Sequence, residues 1–248
     1  MDVLSETLGA MKITGNVLLN EAYSAPWAVS IPNKAALSQS LNANKNTHIA
    51  AFHFVQRGYI EIELEKGNKE TVLAGELAIC FSGIAHTLYQ GTSKSALPFK
   101  EIMEGNNPFK PTSENDAQST SLICGIFMLH NTYLNPLYEA LPPLLKISIA
   151  PGKDYSFSST ASILNLLLNE ISQQSLAYDY MIERYLELLC AKAIRLHIES
   201  TSTNEINWLH ALKDSTIARA VTSIHSQPEY DWSVKKIAQG VSLSPSRF

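Results

Sequence analysis

The chain has 248 residues, of which 45% are hydrophobic and 17% are charged, and its formal net charge is −4. This composition, with no apolar run near the roughly 18 residues of a membrane span and no secretory signal profile, excludes a membrane protein and argues against a nucleic-acid surface spread over the whole chain. Three widely spaced cysteines match neither a disulfide framework nor a CxxC zinc motif, so we expect a cytoplasmic protein with reduced thiols.

Segments typical of β-strands come first along the chain. HIAAFHFVQRG is short, apolar and rich in residues that favour strands. YIEIELEKG alternates strictly, with Ile60, Ile62 and Leu64 on one face and three glutamates on the other, which predicts a half-buried strand with a solvated acidic face. The turn residues GNKE lead into a second extended run, TVLAGELAICF, with Gly75 at a turn or bulge, so the two runs predict a hairpin.

The next region, from Thr92 to Thr120, is rich in Ser, Pro, Asn and Lys and has few aliphatic residues after Phe99. Such a segment buries little apolar surface, so we expect a mobile loop. The run SLICGIFML that follows is apolar throughout and predicts a strand buried on both faces. Several short strands in series indicate a sandwich or a barrel.

Apolar residues then change to helical spacing, which predicts two amphipathic helices. The first helix carries Ile163, Leu164, Leu166, Leu167 and Ile171. The second carries a longer stripe of Ile182, Leu186, Leu189, Ala193 and Leu196. This stripe could pack on the strand region or pair with a second copy of the chain, and we expect the pairing, as a homodimer. The polar segment ESTSTNE after it indicates a linker.

The last segment has the spacing of a helix-turn-helix. In STIARAVTSIHSQ, a helical face that ends before Pro228 carries Ile217, Ala220, Val221 and Ile224. Ser233 then caps a short helix that carries Val234, Ile237 and Ala238. After QGVS, Ser244 and Pro245 are the N-cap and the first position of a further helix. In such a motif the second helix enters the major groove of DNA.

This tail resembles the start of the DNA-binding domain of AraC-type transcriptional regulators. The match covers Ile217, Arg219, Ala220, Ile224, His225, Pro228, Trp232, Val234, Ile237, Ala238, Leu243, Ser244, Ser246 and Phe248. Two residues depart from the pattern, since Ser242 stands where the family usually has the turn glycine and Pro245 where many members have a basic residue.

The resemblance implies promoter DNA as a partner. It implies DNA contacts from Lys235, Lys236, Ser244, Ser246 and Arg247. The family has two helix-turn-helix units, so the resemblance also implies that this chain is truncated within the first one. We therefore expect the 248-residue chain to bind promoter DNA poorly or not at all, whereas the full-length product should bind it.

The segment GELAICFSGIAH resembles the second cupin motif through Gly75, Gly83 and His86, with Phe81 in place of the usual proline. The first cupin motif is incomplete, because FHFVQRG offers His53 alone and His48 lies five residues earlier. Together with LICGIF and ALPPLL, these segments resemble the cupin-like ligand-binding domain of one AraC-type subfamily over most of residues 17–147.

The two resemblances imply an α+β protein. Its N-terminal β-barrel, a cupin-like jelly roll, would be followed by α-helices and a partial helix-turn-helix. The domains would be a sensor at residues 1–150, a helical linker or dimerisation region at 151–203, and the partial DNA-binding domain at 204–248.

Two candidate sites lie in the cupin-like region. His53 and His86 could hold a single metal ion, but a stable site usually needs three or four ligands, and the alternative is a pair of hydrogen-bonded core histidines. Cys80 and Cys124 could form an effector or redox site in which oxidation changes the conformation, and the alternative is that they are small buried hydrophobic residues. A redox site requires a lowered thiol pKa, and no basic residue lies near either cysteine in the sequence.

The sequence thus favours a transcriptional regulator that responds to a small-molecule ligand or an oxidant and is not an enzyme. A metal-dependent cupin enzyme is an alternative, but it needs the carboxylate and paired histidines that the motif lacks. A cupin module that only binds a small molecule is a third interpretation.

Overall fold

The computed structural model describes residues 3–41, 43, 47–64, 67–92, 95–113, 119–130, 138, 141–149, 155–200, 214–227 and 229–247. Its strands are β1 (Ile13–Ser24), β2 (Trp27–Ile31), β3 (His48–Arg57), β4 (Tyr59–Leu64), β5 (Lys69–Leu73), β6 (Glu76–Cys80), β7 (His86–Gln90), β8 (Leu97–Pro98), β9 (Ser119–Leu129) and β10 (Leu145–Ser148). Its helices are α1 (Val3–Met11), α2 (Lys34–Ser40), α3 (Phe99–Met103), α4 (Tyr155–Gln173), α5 (Tyr178–Ser200), α6 (Ser215–Ser226) and α7 (Val234–Gly240).

The strands form two five-stranded sheets. The first sheet has the order β1-β9-β3-β6-β10 and the second has the order β5-β4-β7-β2-β8. The α+β class is therefore confirmed. The expectation of a closed barrel is not met by the described strands, because their hydrogen bonds divide them between two sheets and do not join the sheets into a ring.

The first sheet is covered on both faces. On one face, side chains of β3, β6 and β9 share a hydrophobic cluster with α4 and α5, and on the other face they share a second cluster with strands of the second sheet. This arrangement explains the apolar sequence of β9, in which Cys124 belongs to the cluster between the sheets and Phe127 to the cluster under the helices. The prediction of a strand buried on both faces is confirmed.

The hairpin predicted around GNKE is present, but its second predicted strand is divided into two strands. Ile60, Ile62 and Leu64 are buried in β4, which pairs antiparallel with β5 as predicted. The run TVLAGELAICF is however not one strand, because Gly75 has a φ of +81° and the chain passes there from the second sheet to the first. The half after Gly75 is β6, which pairs with β3. Left-handed φ values favour glycine, so the turn at this position is a local sequence effect.

The prediction of a mobile loop from Thr92 to Thr120 is wrong for its described part, residues 95–113 and 119–120. This part contains β8 and α3, whose Phe99 and Ile102 are 5% and 2% exposed. The backbone N–H of Ser24 donates to the carbonyl of Phe109 at 2.8 Å and fixes the segment after α3. Few apolar residues are enough here because Phe99 and Ile102 both enter the cluster between the sheets.

The apolar stripe of α5 is packed inside the chain, which corrects the expectation that it pairs with a second copy. Leu186 and Leu189 are fully buried in the cluster that α5 shares with the first sheet. Helix α5 lies close to β1 at Gly15, where an added Cβ would lie 2.9 Å from the Cβ of Leu186. In α4, Leu164, Leu167 and Ile171 are buried as predicted, but Leu166 is 49% exposed.

Of the helices in the described ranges, none is long and apolar enough to span a membrane. The segment predicted as a linker, ESTSTNE, lies mostly outside the described residues.

Candidate functional site

The two candidate sites of the sequence form one cluster between the sheets. His53 of β3 lies opposite Cys124 of β9, and Ala51 of the same strand lies opposite Cys80 of β6. Because side chains alternate along a strand, His53, Cys80 and Cys124 all project from one face of the first sheet. His86, the first residue of β7, approaches from the second sheet. The side chains are buried, with exposures of 1% for His53, 4% for His86, 0% for Cys80 and 3% for Cys124.

The turn between β6 and β7 brings Cys80 and His86 together. The N–H of Gly83 donates to the carbonyl of Cys80, and the carbonyl of Gly83 accepts from the N–H of Lys34 at 2.7 Å. Gly83 has a φ of +61°, and an added Cβ would lie 2.8 Å from the Cβ of Lys34. A residue other than glycine would therefore be strained at this position, which gives the matched glycine of the motif a physical reason.

The distances within the cluster are those of hydrogen bonds. Nε2 of His53 lies 2.8 Å from Nε2 of His86, and Nδ1 of His53 lies 3.1 Å from Sγ of Cys124. Sγ of Cys80 lies 3.7 Å from Nε2 of His86, and Nδ1 of His86 lies 3.1 Å from the carbonyl oxygen of Ile84. The two imidazoles meet edge to face, with ring centroids 5.0 Å apart.

One arrangement of protons satisfies this series of hydrogen bonds, and we assign it from the hydrogen-bond partners. The carbonyl of Ile84 can only accept, so Nδ1 of His86 carries a proton and its Nε2 accepts. Nε2–H of His53 then donates to His86, and Nδ1 of His53 accepts from the thiol of Cys124. Both imidazoles are neutral in this arrangement.

The pKa values agree with a neutral cluster. Burial lowers the pKa of His53 well below 6.5, with a further contribution from His86, and burial also lowers the pKa of His86. Burial raises the pKa of the thiols of Cys80 and Cys124 to about 12. A reactive redox thiol needs a lowered pKa, because the thiolate is the reactive form. The raised pKa values therefore do not support the hypothesis that these cysteines sense an oxidant.

Three side chains of the cluster are placed as candidate donors to one metal ion. His53, Cys80 and His86 each offer one ligand atom, and these atoms lie within 4.8 Å of one another. Sequence reasoning missed Cys80 as a ligand because it treated the cysteines as a separate site. The available signal was its position six residues before His86 in the same motif. His48 does not join them, since its Nε2 donates to the carbonyl of Phe81 at 2.7 Å.

A small cavity adjoins the cluster. Its walls include Leu18, Leu37, His53, Phe99 and Cys124, and its volume is about 10 Å³. This is the space of a single water molecule, whereas pockets for small organic ligands measure roughly 300–1,000 Å³. An organic effector would therefore need a rearrangement of the sandwich to enter there.

The two helices near the end of the chain both have side-chain N-caps, and the one at Ser233 is as predicted. Asp214 caps α6 by accepting from the N–H of Thr216 and Ile217, and the hydroxyl of Ser233 caps α7 by accepting from the N–H of Lys236. The indole N–H of Trp232 donates to the carbonyl of Gln227 and closes the connection between the helices. Ile224 and Val234, predicted on apolar faces, are 36% and 60% exposed.

The turn after α7 shows why the family usually has glycine where this chain has Ser242. Ser242 has a φ of +63°, the left-handed conformation in which the family usually has glycine. The N–H of Ser242 donates to the carbonyl of Gln239 and the N–H of Leu243 to that of Ala238, which is the Schellman pattern of a helix end. A further turn begins directly afterwards, where the N–H of Arg247 donates to the carbonyl of Ser244.

The candidate DNA-contacting residues lie in different environments. Lys235 and Arg247 are exposed. Lys236 contacts its own unit, because its Nζ donates to the carbonyl of Asp231 at 2.6 Å and lies over the ring of Tyr230. The hydroxyls of Ser244 and Ser246 are 3.2 Å apart and exposed.

Comparison with known proteins assigns the chain to a family. A cupin family model (Cupin_6) matches residues 2–199. The chain belongs to this cupin family, and the matched range includes the two sheets together with α4 and α5.

The relatives are named as transcriptional regulators. The chain is 24% identical over 209 residues to the HTH-type transcriptional regulator AlkR of Acinetobacter baylyi, covering 79% of this chain and 65% of AlkR. It is 26% identical over 125 residues to a putative AraC-like transcription regulator of Streptomyces antibioticus, covering 50% and 40%. The matches thus span less than two thirds of either relative's length. The resemblance to AraC-type regulators with a cupin domain is confirmed.

Solved structures include a similar chain. The crystal structure of the AraC-like transcriptional activator CuxR is similar at a TM-score of 0.35 and 12% identity, covering 97% of this chain and 69% of that one.

Proposed function

We propose that this chain belongs to a DNA-binding transcriptional regulator in which the cupin-like region senses a signal and the helix-turn-helix residues contact promoter DNA. The observation that carries the proposal is the helix end at Ser242. The capped pair α6 and α7 is followed by a Schellman turn and a new turn at Ser244, in the order of the AraC-type motif. The names of the relatives support a role in regulation and not in catalysis.

The proposed domains are the sensor at 1–150, the helical region at 151–203 and the DNA-binding residues at 204–248. The shared core of α4, α5 and the first sheet supports a helical region that is rigidly packed on the sensor. The regulator is proposed to act as a homodimer on paired half-sites, through a surface other than the buried stripe of α5.

DNA contact by the tail can be measured at low salt with a labelled mixed-sequence duplex and fluorescence anisotropy. The double variant Lys235→Ala/Arg247→Ala should weaken binding and lower the slope of log K against log salt by up to about 1.8, because each lost phosphate contact contributes about 0.9. Lys100→Ala/Lys110→Ala removes the same charge from an exposed part of the cupin-like region and should leave the slope unchanged. Equal losses of affinity in both double variants would contradict the proposal.

A further inference from the structure

The strongest unassigned feature is the convergence of His53, Cys80 and His86 in the middle of the sandwich. Their donor atoms lie within 4.8 Å of one another and all three side chains are buried. His53 and Cys80 come from the first sheet and His86 comes from the second, so an ion held by all three would join the two sheets. A group of this kind needs the tertiary fold, since the three residues come from three strands.

We propose that His53, Cys80 and His86 bind a single Cu⁺ ion. The set offers two imidazoles and one thiol, and among the described residues no carboxylate belongs to it. Soft sulfur ligands and imidazoles select Cu⁺ or Zn²⁺, whereas Mg²⁺, Ca²⁺ and Mn²⁺ prefer carboxylate and carbonyl oxygens. The donor chemistry therefore favours these two ions.

Charge and donor number favour Cu⁺ over Zn²⁺. When the Cys80 thiol releases its proton to solvent and binds, one thiolate and Cu⁺ give a net charge of zero, whereas Zn²⁺ would leave one positive charge. That charge would be buried, because the three ligands are at most 4% exposed, and an unpaired buried charge is costly. Structural zinc sites almost always have four protein ligands, and zinc sites with three protein ligands add a water molecule or substrate as the fourth. Only three protein donors converge in the described cluster.

The outer atoms of both imidazoles already have the partners that orient metal ligands. The carbonyl of Ile84 accepts from Nδ1–H of His86, which directs the lone pair of its Nε2 into the cluster. His53 reaches the same state by moving its proton from Nε2 to Nδ1, where it donates to the sulfur of Cys124. The ion thus replaces the proton between the two Nε2 atoms, and the bond between His53 and Cys124 reverses its direction.

The distances require a small adjustment. With bonds of about 2.0 Å to nitrogen and about 2.3 Å to sulfur, a trigonal site separates nitrogen from sulfur by about 3.7 Å and the two nitrogens by about 3.5 Å. The distance from Cys80 to His86 is already 3.7 Å. The two Nε2 atoms, now 2.8 Å apart, need to separate by about 0.7 Å.

Competition with a chromophoric Cu⁺ chelator under anaerobic reducing conditions tests the site. The wild-type chain should withdraw one equivalent of Cu⁺. Cys80→Ser and His86→Gln should each reduce the affinity at least about 100-fold, and Cys124→Ser about 10-fold to 100-fold, because an outer partner contributes less than a ligand. Cys190→Ser is the matched control, since Cys190 is also a fully buried thiol but lies in α5 away from the cluster. Wild-type affinity in Cys80→Ser, or an equal loss in Cys190→Ser, would overturn the proposal.

A second measurement does not depend on the folding of variants. X-ray absorption of the Cu⁺-loaded wild-type chain should show one sulfur and two nitrogen neighbours at the metal. A spectrum without sulfur would overturn the proposal. A parallel titration with Zn²⁺ should show weaker retention after gel filtration against a chelator, and stoichiometric retention of Zn²⁺ without retention of Cu⁺ would also overturn it.

The idea that Cu⁺ is the regulator's signal rests on the proposed function, whereas the binding site does not. Loading with Cu⁺ should change DNA affinity in the anisotropy assay for the wild-type chain and not for Cys80→Ser. If Cu⁺ binds and DNA affinity does not change, the site stands and its role as the signal is wrong. If the two double variants of the DNA assay lose affinity equally, the proposed function fails, while the metal titration still decides on the site.

Discussion

Gly125 shows how closely single residues are fitted in the first sheet. It lies opposite Phe52 in the register of β9 and β3, next to Cys124. An added Cβ would lie 2.3 Å from the carbonyl oxygen of Asn16 and 2.5 Å from Cζ of Phe52. The ring of Phe52, which stacks on Phe127, therefore occupies the space that a side chain at position 125 would need.

Gly125→Ala should destabilise the chain. The backbone of β1 and the buried ring of Phe52 cannot both move away without loss of packing, so we expect a cost of about 1–3 kcal/mol in the free energy of unfolding, measured in urea. Gly9→Ala is the control, because nothing lies within 4 Å of an added Cβ in α1. The control should be neutral or stabilise by up to about 1 kcal/mol. Equal unfolding midpoints for both variants would contradict this account.

At the scale of elements, the end of α7 is the clearest case of a local conflict. Ser242 has a left-handed φ that costs a residue with a side chain about 1–2 kcal/mol relative to the right-handed region. The Schellman hydrogen bonds of Ser242 and Leu243 hold it there. Glycine avoids this strain, and it is what the family pattern usually has.

Ser242→Gly should therefore stabilise the helix-turn-helix residues by roughly 0.5–1 kcal/mol, because relief of strain exceeds the entropy that glycine adds to the unfolded chain. Hydrogen exchange of the α7 amides should slow by a few-fold. Ser242→Val should have the opposite effect, since a β-branched residue is an outlier at this φ. Faster exchange in the glycine variant would show that the turn does not constrain α7.

The two faces of α5 allow a matched test of where its stripe packs. Leu189 is fully buried in the cluster shared with the first sheet, and its neighbour Leu188 is 54% exposed. Leu189→Ala should lower the free energy of unfolding by about 2–5 kcal/mol, and Leu188→Ala should change it by less than about 0.5 kcal/mol. Urea denaturation at two protein concentrations provides the measurement. If the effect of Leu189→Ala depends on protein concentration, the stripe lies at an interface between two copies of the chain.

At the scale of the whole molecule, the two sheets bury histidines as well as apolar residues. His48 donates from Nε2 to the carbonyl of Phe81, and the hydroxyl of Tyr138 donates to the same carbonyl at 2.9 Å. Burial is the main cause that lowers the pKa of His48, and it also lowers the pKa of His53 and His86. The folded chain therefore keeps these groups neutral at a pH where the unfolded chain protonates them.

The pH dependence of stability follows from this direction. Above about pH 6.5 these histidines are neutral in both the folded and the unfolded state, and their contribution to the free energy of unfolding is fully present. Below this pH the unfolded state binds more protons than the folded state, so the free energy of unfolding decreases as the pH falls. The urea midpoint, measured with a chelator present, should be lower at about pH 5.5 than at about pH 7.5. His48→Gln keeps a donor for Phe81 and should reduce this difference. Equal midpoints at the two pH values in the wild-type chain would contradict the prediction.

Local patterns were sufficient where a residue's role depends on its neighbours in the chain. The alternation of Ile60, Ile62 and Leu64 predicted β4, and the cap at Ser233 predicted the start of α7. The segment from Thr92 to Thr120 was misjudged because Phe99 and Ile102 find their partners between the sheets. Composition records how few apolar residues a segment has, but it does not record where each of them packs.

By itself, the sequence determined the α+β class, the order of strands before helices, the motif resemblance and the positions of the two histidines. It did so because hydrophobic period, turn glycines and helix caps act over a few residues. Only the tertiary structure decided that Cys80 and Cys124 join His53 and His86, and that the α5 stripe packs on the first sheet. The pairing of strands and the sides of a sheet that face each other are set by contacts between residues far apart in the chain, and no local pattern specifies them.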